Sequence, residues 1–390
     1  MSPMEELEQL LSETEASASA RAARAFDERA GVGARTIVLY GAGNLGQRIV
    51  ARLRALGFTI VAFADGDRAK WGNAIEGIPV LSPADAGARY GADYPCVMSI
   101  WGGGTERLAA RRAMLAAHGF ARVVHVGHLF WQFAETFLPY YAMDLPQHVL
   151  AARDEIRRAY AVFGDDASRA EFVAQLRWRL HFDFDGLPLP VEHDVYFAPD
   201  LFTLRSDERF VDCGAYDGDT LRVLFARTEG KVGAVIAFEP DHISRERLLA
   251  WRATLPPALA AQVDVRSDAT GATAGSITFA SSGTPASAGG TGDETVPVVT
   301  LDAALTDFAP TFIKMDIEGA EYDTIAGARE TIRRERPILT VCTYHVQNDL
   351  WRIPLVLAAA APDYRFALRP HLPEVWELVT YAIPPERAHG

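Results

Sequence analysis

The segment Phe210-Val211-Asp212-Cys213-Gly214-Ala215-Tyr216-Asp217-Gly218-Asp219-Thr220 constrains this chain most. An apolar run ends in a glycine-rich turn and passes at once into a helix start near Thr220. Glycines let a backbone turn sharply and approach a ligand closely. A strand, turn and helix in that order belong to an open α/β sheet, which binds ligands beyond the carboxyl ends of its strands. The turn carries Asp212, Asp217 and Asp219 and no lysine. A phosphate cradle of the G-x-x-x-x-G-K-[ST] type therefore does not fit. Acidic side chains in a glycine turn suit a ligand with a cationic or amine group.

The same alternation runs through most of the chain. Short apolar strands are predicted at 36–40, 58–64, 96–100 and 122–126, with helices between them. A second series is predicted at 209–213, 234–238, 263–267, 276–280, 296–300, 312–315, 338–343, 364–368 and 375–381. Strands alternating with helices predict parallel sheets, here two doubly wound ones. The 390 residues then divide into a helical extension at 1–35, a Rossmann-like domain at 36–130, a helical connector at 131–195 and a larger domain at 196–390. The connector is rich in aromatics, which would serve a domain interface or a homo-oligomer surface. The run from Ser281 to Gly292 is nearly all Gly, Ser, Thr, Ala and Pro, and reads as a mobile loop.

Composition removes several classes. Net charge is −13, which provides no global basic footprint for nucleic acid. No apolar run approaches the roughly 18 residues that a membrane span needs. The first residues lack the apolar core of a signal peptide. Cys96, Cys213 and Cys342 stand far apart, which excludes a disulfide scaffold and fits a reducing cytoplasm.

Polar groups recur at the ends of the second series of strands. Glu239 ends Ile236-Ala237-Phe238-Glu239, 27 residues after Asp212, where a carboxylate can take both hydroxyls of a ribose. Ser267-Asp268-Ala269 follows, where a polar side chain could meet a base edge. Phe312-Ile313-Lys314-Met315-Asp316-Ile317-Glu318-Gly319-Ala320-Glu321 ends in alternating charge. Charges at a central strand end are costly unless paired or used. His345, after the next strand, is a general-base candidate because imidazole titrates near neutrality.

Residues from about 196 to 381 resemble the FkbM-type family of S-adenosylmethionine-dependent methyltransferases. The matching segments are FVDCGAYDGDT, AFEPD, VVTLDAAL, FIKMDIEGAE and YH…DLW, in family order. The resemblance implies a class I, seven-stranded methyltransferase fold with S-adenosylmethionine over the first turn. By position, Asp212, Gly214, Ala215, Tyr216, Asp217 and Gly218 would surround the methionine part. Glu239 would hold the ribose, and Asp268 with Ala269 the adenine. Asp316 would lie beside the sulfonium and the acceptor. The family implies methylation of a hydroxyl on a sugar or sugar-containing small molecule. His345 is the expected base and Asp316 the runner-up. A divalent cation on Asp316 and Glu318 is the weaker alternative, and no metal is expected.

The smaller domain contains Gly41-Ala42-Gly43-Asn44-Leu45-Gly46 between a strand and a helix, with Asp65 ending the next strand. That fits G-x-G-x-x-G followed by a ribose-binding acid. The segments after it are similar to small Rossmann-like domains beside sugar-modifying enzymes, which implies a nucleotide or nucleotide-sugar ligand. Gly41, Gly43, Asn44, Leu45, Gly46 and Asp65 are its candidate contacts, and a purely structural glycine turn is the equal alternative. Trp101-Gly102-Gly103-Gly104 would line the same crevice. Two rivals follow: a nicotinamide-dependent oxidoreductase using this turn, and a non-catalytic binding module.

Overall fold

A computed structural model describes residues 1–102, 106–283, 292 and 294–389. Gly103, Gly104 and most of the Gly/Ser/Thr run lie outside the described residues. The chain forms two compact units. Unit 1 comprises Met1–Arg153, Val173–Leu189 and Leu372–Trp376, and unit 2 comprises Asp154–Phe172, Pro190–His371 and Glu377–Gly390. Segments of the 131–195 stretch thus fall in each unit. Among the described residues no helix is long and apolar enough to cross a membrane.

Unit 1 contains β1 (Thr36–Tyr40), β2 (Thr59–Ala64), β3 (Ala74–Ile75), β4 (Ile78–Leu81), β5 (Cys96–Met98) and β6 (Val123–His125). They form one sheet in the order β3-β4-β2-β1-β5-β6. All pairs are parallel except the β3–β4 hairpin. That hairpin was not expected from the sequence. Its turn is Glu76-Gly77, both with positive φ, the geometry that a two-residue loop between twisted strands requires. Ile37, Val38 and Leu39 are fully buried, as a strand covered on both faces demands.

Unit 2 contains β7 (Arg209–Cys213), β8 (Ala234–Phe238), β9 (Val263–Arg266), β10 (Ala269–Thr270), β11 (Gly275–Phe279), β12 (Glu294–Val299), β13 (Phe312–Met315), β14 (Ile338–Cys342), β15 (Arg365–Pro370) and β16 (Leu378–Ile383). Seven of them form a sheet in the order β15-β16-β14-β13-β7-β8-β9. β16 runs antiparallel to β14 and β15, and the other pairs are parallel. This is the expected α/β class with a seven-stranded sheet. β10, β12 and β11 form a separate three-stranded sheet inserted after β9. The last strand starts three residues later than predicted, because Glu374 and Glu377 take positive φ and turn the chain before it.

Local signals explain how the loops at the carboxyl ends of β7 and β8 are held. Gly218 has φ +90° and caps the helix Asp219–Arg227, which buries Leu221 and Leu224. Asp241 caps the helix His242–Arg252, accepting from the backbone N–H of Ile243 at 2.8 Å and Ser244 at 3.1 Å. Its other carboxylate oxygen accepts from the N–H groups of Ser282 and Gly283, each at 2.9 Å.

Candidate active site

A cavity of about 510 Å³ opens in unit 2 beside the ends of β7, β8 and β13. Its wall includes Gly214, Tyr216, Glu239, Asp268, Ala269 and Asp316, six of the residues singled out in the sequence. Central strands that run parallel place their carboxyl ends side by side, so residues distant in sequence converge there. Phe238, Ile277 and Phe279 supply an apolar wall. The remainder is acidic, with Asp219, Glu318, Asp323 and Glu377 added to Glu239, Asp268 and Asp316.

Lys314 is the one cation on the wall among the described residues, and it is already paired. Register sets Lys314 of β13 opposite Asp212 of β7. Its Nζ lies 3.0 Å from Asp212 Oδ1 and donates to the Gly214 carbonyl at 2.7 Å. Both side chains are almost wholly buried. Burial, with smaller pushes from Asp219 and Asp316, raises the Asp212 carboxyl to about 6 against Lys314, whereas burial is outweighed at Lys314 by Asp212 and Asp316, which hold it protonated. Lys314 faces two carboxylates and a carbonyl, so the pair is ionised.

The glycine turn depends on Gly214. Its φ is +81°, and a Cβ there would collide with the Asp316 carbonyl oxygen. The Tyr216 N–H donates to Glu239 Oε2 at 2.6 Å, and the Asp241 N–H to Oε1 at 2.8 Å. Burial pushes the Glu239 carboxyl up to about 7, and these two backbone donors oppose it. Each oxygen keeps a second acceptor position, since one donor fills only one of two.

Around Asp316 the groups interlock. Tyr196 Oη donates to Asp316 Oδ2 at 2.7 Å. His345 Nε2 faces Asp316 Oδ1 at 3.3 Å, and His345 Nδ1 bonds Glu321 Oε1 at 2.8 Å. Burial disfavours the charge on each partner, but His345 and Lys314 hold Asp316 well below the usual carboxylate range, and Glu321 and Asp316 hold His345 well above the usual imidazole range. With a carboxylate at each nitrogen, His345 is an imidazolium. Glu321 also accepts from the N–H groups of Ile317 at 2.8 Å and Gly319 at 3.0 Å.

Five other sequence-selected residues do not reach the cavity wall. Asp212 is buried beneath it in the Lys314 pair. Ala215 is fully buried, and Gly218 packs under Trp251 and Leu248. Asp217 turns away and pairs with Arg222 at 2.8 Å. His345 sits behind Asp316. The wall instead gains Asp219, and also Tyr344 and Glu377, which the sequence did not single out for the donor. Asp219 stood in the quoted turn, but only the helix start decides that it, and not Asp217, faces inward. Asp316, Glu321 and His345 offer ligand atoms within 4.8 Å of one another, as do Asp316, Cys342 and Glu377. A metal bound there would have to displace the proton that these carboxylates hold on His345.

In unit 1, Asp65 is 6% exposed and directs its carboxylate inward. It accepts from the N–H of Ala42 at 2.7 Å and of Asp67 at 2.8 Å, and pairs with Lys70 at 3.1 Å. A Cβ on Gly46 would strike the Gly41 carbonyl oxygen, so Gly46 is required by the turn itself. Both observations give the glycine turn a structural purpose.

Residues 212–373 match the family model for the methyltransferase FkbM domain. That stretch is similar to the FkbM methyltransferase domain. A crystal structure of a methyltransferase FkbM from Methylobacillus flagellatus KT superimposes with a TM-score of 0.76 at 22% identity, covering 97% of this chain and 100% of that one. That likeness extends the shared fold beyond the FkbM domain to nearly the whole chain. A putative rRNA-methylase from Clostridium thermocellum aligns with a TM-score of only 0.31 at 11% identity, over 47% of this chain and 89% of that one. No curated protein matches the sequence.

Proposed function

We propose that unit 2 transfers a methyl group from S-adenosylmethionine to a hydroxyl of a sugar or sugar-containing small molecule. The observation that carries this reading is the acidic cavity at the ends of β7, β8 and β13. A wall of carboxylates whose one lysine is already neutralised favours a cationic, hydroxyl-rich ligand over a phosphate. S-adenosylmethionine has a sulfonium, an ammonium and a ribose diol, so the donor set suits it. When bound it supplies an electrophilic methyl group on sulfur.

The residues divide the work by place. Glu239 would accept from the ribose hydroxyls, since its oxygens are oriented by Tyr216 and Asp241. Asp268 and Ala269 would meet the base, against the apolar wall of Ile277 and Phe279. Asp219 and the Gly214 turn would hold the ammonium end. Asp316 is locked from both sides, by Tyr196 and His345, and stays ionised. A fixed carboxylate of this kind orients a positive centre and an incoming hydroxyl, which is the main contribution a protein makes to an in-line displacement. The three buried cysteines are free thiols, which fits a cytoplasmic setting.

Calorimetric titration with S-adenosylhomocysteine, and separately with NAD⁺, tests the reading. Binding of S-adenosylhomocysteine that Glu239→Ala abolishes is the expected result. Binding of NAD⁺ without S-adenosylhomocysteine would overturn it and move the chemistry to unit 1.

A further inference from the structure

Methylating a hydroxyl requires a group that takes its proton. His345, the base expected from sequence, has a carboxylate at both ring nitrogens, so no lone pair is left to accept one. Asp316 is held well below the usual carboxylate range by His345 and Lys314 against burial, which makes it too weak a base to take that proton. Glu377 accepts from Tyr344 Oη at 3.3 Å. Glu318 differs from all three. Its carboxylate lines the cavity, its side chain is 19% exposed, and among the described residues it makes no hydrogen bond. The group facing it at short range is His345 Nε2, 3.8 Å from Oε1.

The backbone singles out the same residue. Glu318 has φ +54°, a left-handed conformation that costs a non-glycine residue roughly 1–2 kcal/mol. Glu321 imposes it, gripping the N–H groups on either side of Glu318, those of Ile317 and Gly319. The same Glu321 holds His345. One buried carboxylate thereby presents Glu318 at the crest of the turn and fixes the imidazolium behind it. Strained residues held this way are concentrated at functional sites.

We propose that Glu318 is the catalytic base of the methyl transfer, and that His345 and Glu321 are positioning residues that present it. This rests on the methyltransferase reading given above. The acceptor hydroxyl gives its proton to a Glu318 carboxylate oxygen. The electron pair of the acceptor oxygen forms the new O–C bond, and the S–C bond breaks with its pair remaining on the donor sulfur. The proton then leaves Glu318 to solvent at its exposed edge. The charged groups around Glu318 agree with the role. Burial pushes its carboxyl up to about 7, opposed by His345 and reinforced by Asp316, Glu321 and Glu377. A base of that affinity is ionised enough at neutral pH to accept a proton and weak enough to release it.

The test combines three readouts on the full chain. Nitrogen NMR of the His345 ring should find both nitrogens protonated at pH 8, and Glu321→Gln should move the ring toward neutrality. Glu318→Gln should melt like wild type, bind S-adenosylhomocysteine within about twofold, and lose at least ~100-fold in kcat toward sugars of a hexopyranoside panel that wild type methylates. His345→Gln should keep the pH limb but move it above 7, because the cation that lowers the Glu318 carboxyl is gone, and lower its amplitude. A neutral His345 ring at pH 8, or a Glu318→Gln variant that keeps its rate, overturns the assignment. Wild type that fails to bind S-adenosylhomocysteine overturns instead the methyltransferase reading. Wild type that binds it but methylates no sugar in the panel overturns the acceptor class, and the ring nitrogens then decide the assignment.

Discussion

Removing one partner of the Asp212–Lys314 pair should cost far more than removing both. The pair is almost wholly buried, with its charges 3.0 Å apart and Lys314 also donating to the Gly214 carbonyl. Asp212→Asn leaves the ammonium in a site with water excluded, facing a neutral amide. Breaking a buried pair in this way costs about 3–5 kcal/mol. For a unit of 150–250 residues, each 1 kcal/mol lowers Tm by roughly 2–4 °C, so a fall of about 6–20 °C is expected. Lys314→Met should fall by a similar amount, because Asp212 then stands uncompensated and the Gly214 carbonyl loses its donor. The double variant Asp212→Leu/Lys314→Met removes both charges and fills the space with apolar atoms, so it should recover more than half of either loss. Scanning calorimetry of wild type, both single variants and the double variant closes the cycle, with the unit 2 transition identified by its shift on adding S-adenosylhomocysteine. Single variants within about 1 kcal/mol of wild type would refute the reasoning, since they would mean that water reaches the pair. So would losses that simply add in the double variant.

Three further outcomes follow from the same geometry. Gly214→Ala should destabilise unit 2 by about 2–5 kcal/mol, from left-handed strain plus the collision with the Asp316 carbonyl, and calorimetry reads it directly. Glu239 has a folded-state value raised to about 7, so its contribution to stability is full below about 4.5 and is lost as pH rises through 7. Stability of free wild type should therefore fall as pH rises from about 5 to 8, and this fall should be smaller in Glu239→Gln, which should also weaken S-adenosylhomocysteine binding at least tenfold; an unchanged pH dependence would place Glu239 in water. Asp65→Ala should cost unit 1 about 1–3 kcal/mol by leaving the Ala42 N–H unsatisfied, with no change in S-adenosylhomocysteine affinity measured by titration.

The element order was legible because it depends on local patterning. Apolar runs such as Phe312–Met315, bounded by charge and glycine, predict buried parallel strands, and the structure contains them. The Glu76-Gly77 hairpin escaped notice because its first strand is only two residues long, too short for periodicity to register. Glu239, Asp268 and Asp316 were legible as candidates for a different reason. A polar residue at the end of an apolar strand must emerge at the sheet edge, and parallel strands bring such edges together.

The sequence by itself determined the α/β class, the glycine turn at Gly214 and the set of strand-end carboxylates, since each follows from residue type and spacing along a few neighbours. Only the tertiary structure decided what each carboxylate does. Asp217 and Asp219 stand two apart in one turn, yet one pairs with Arg222 and the other lines the cavity. Asp65 accepts from the N–H groups of Ala42 and Asp67, as Glu239 accepts from those of Tyr216 and Asp241, so two acids far apart in the chain have the same backbone partners. His345 has the side chain of a base, yet Glu321 and Asp316 hold it charged. Protonation and pairing are set by groups that are close in space and distant in the chain, and local pattern contains no record of them.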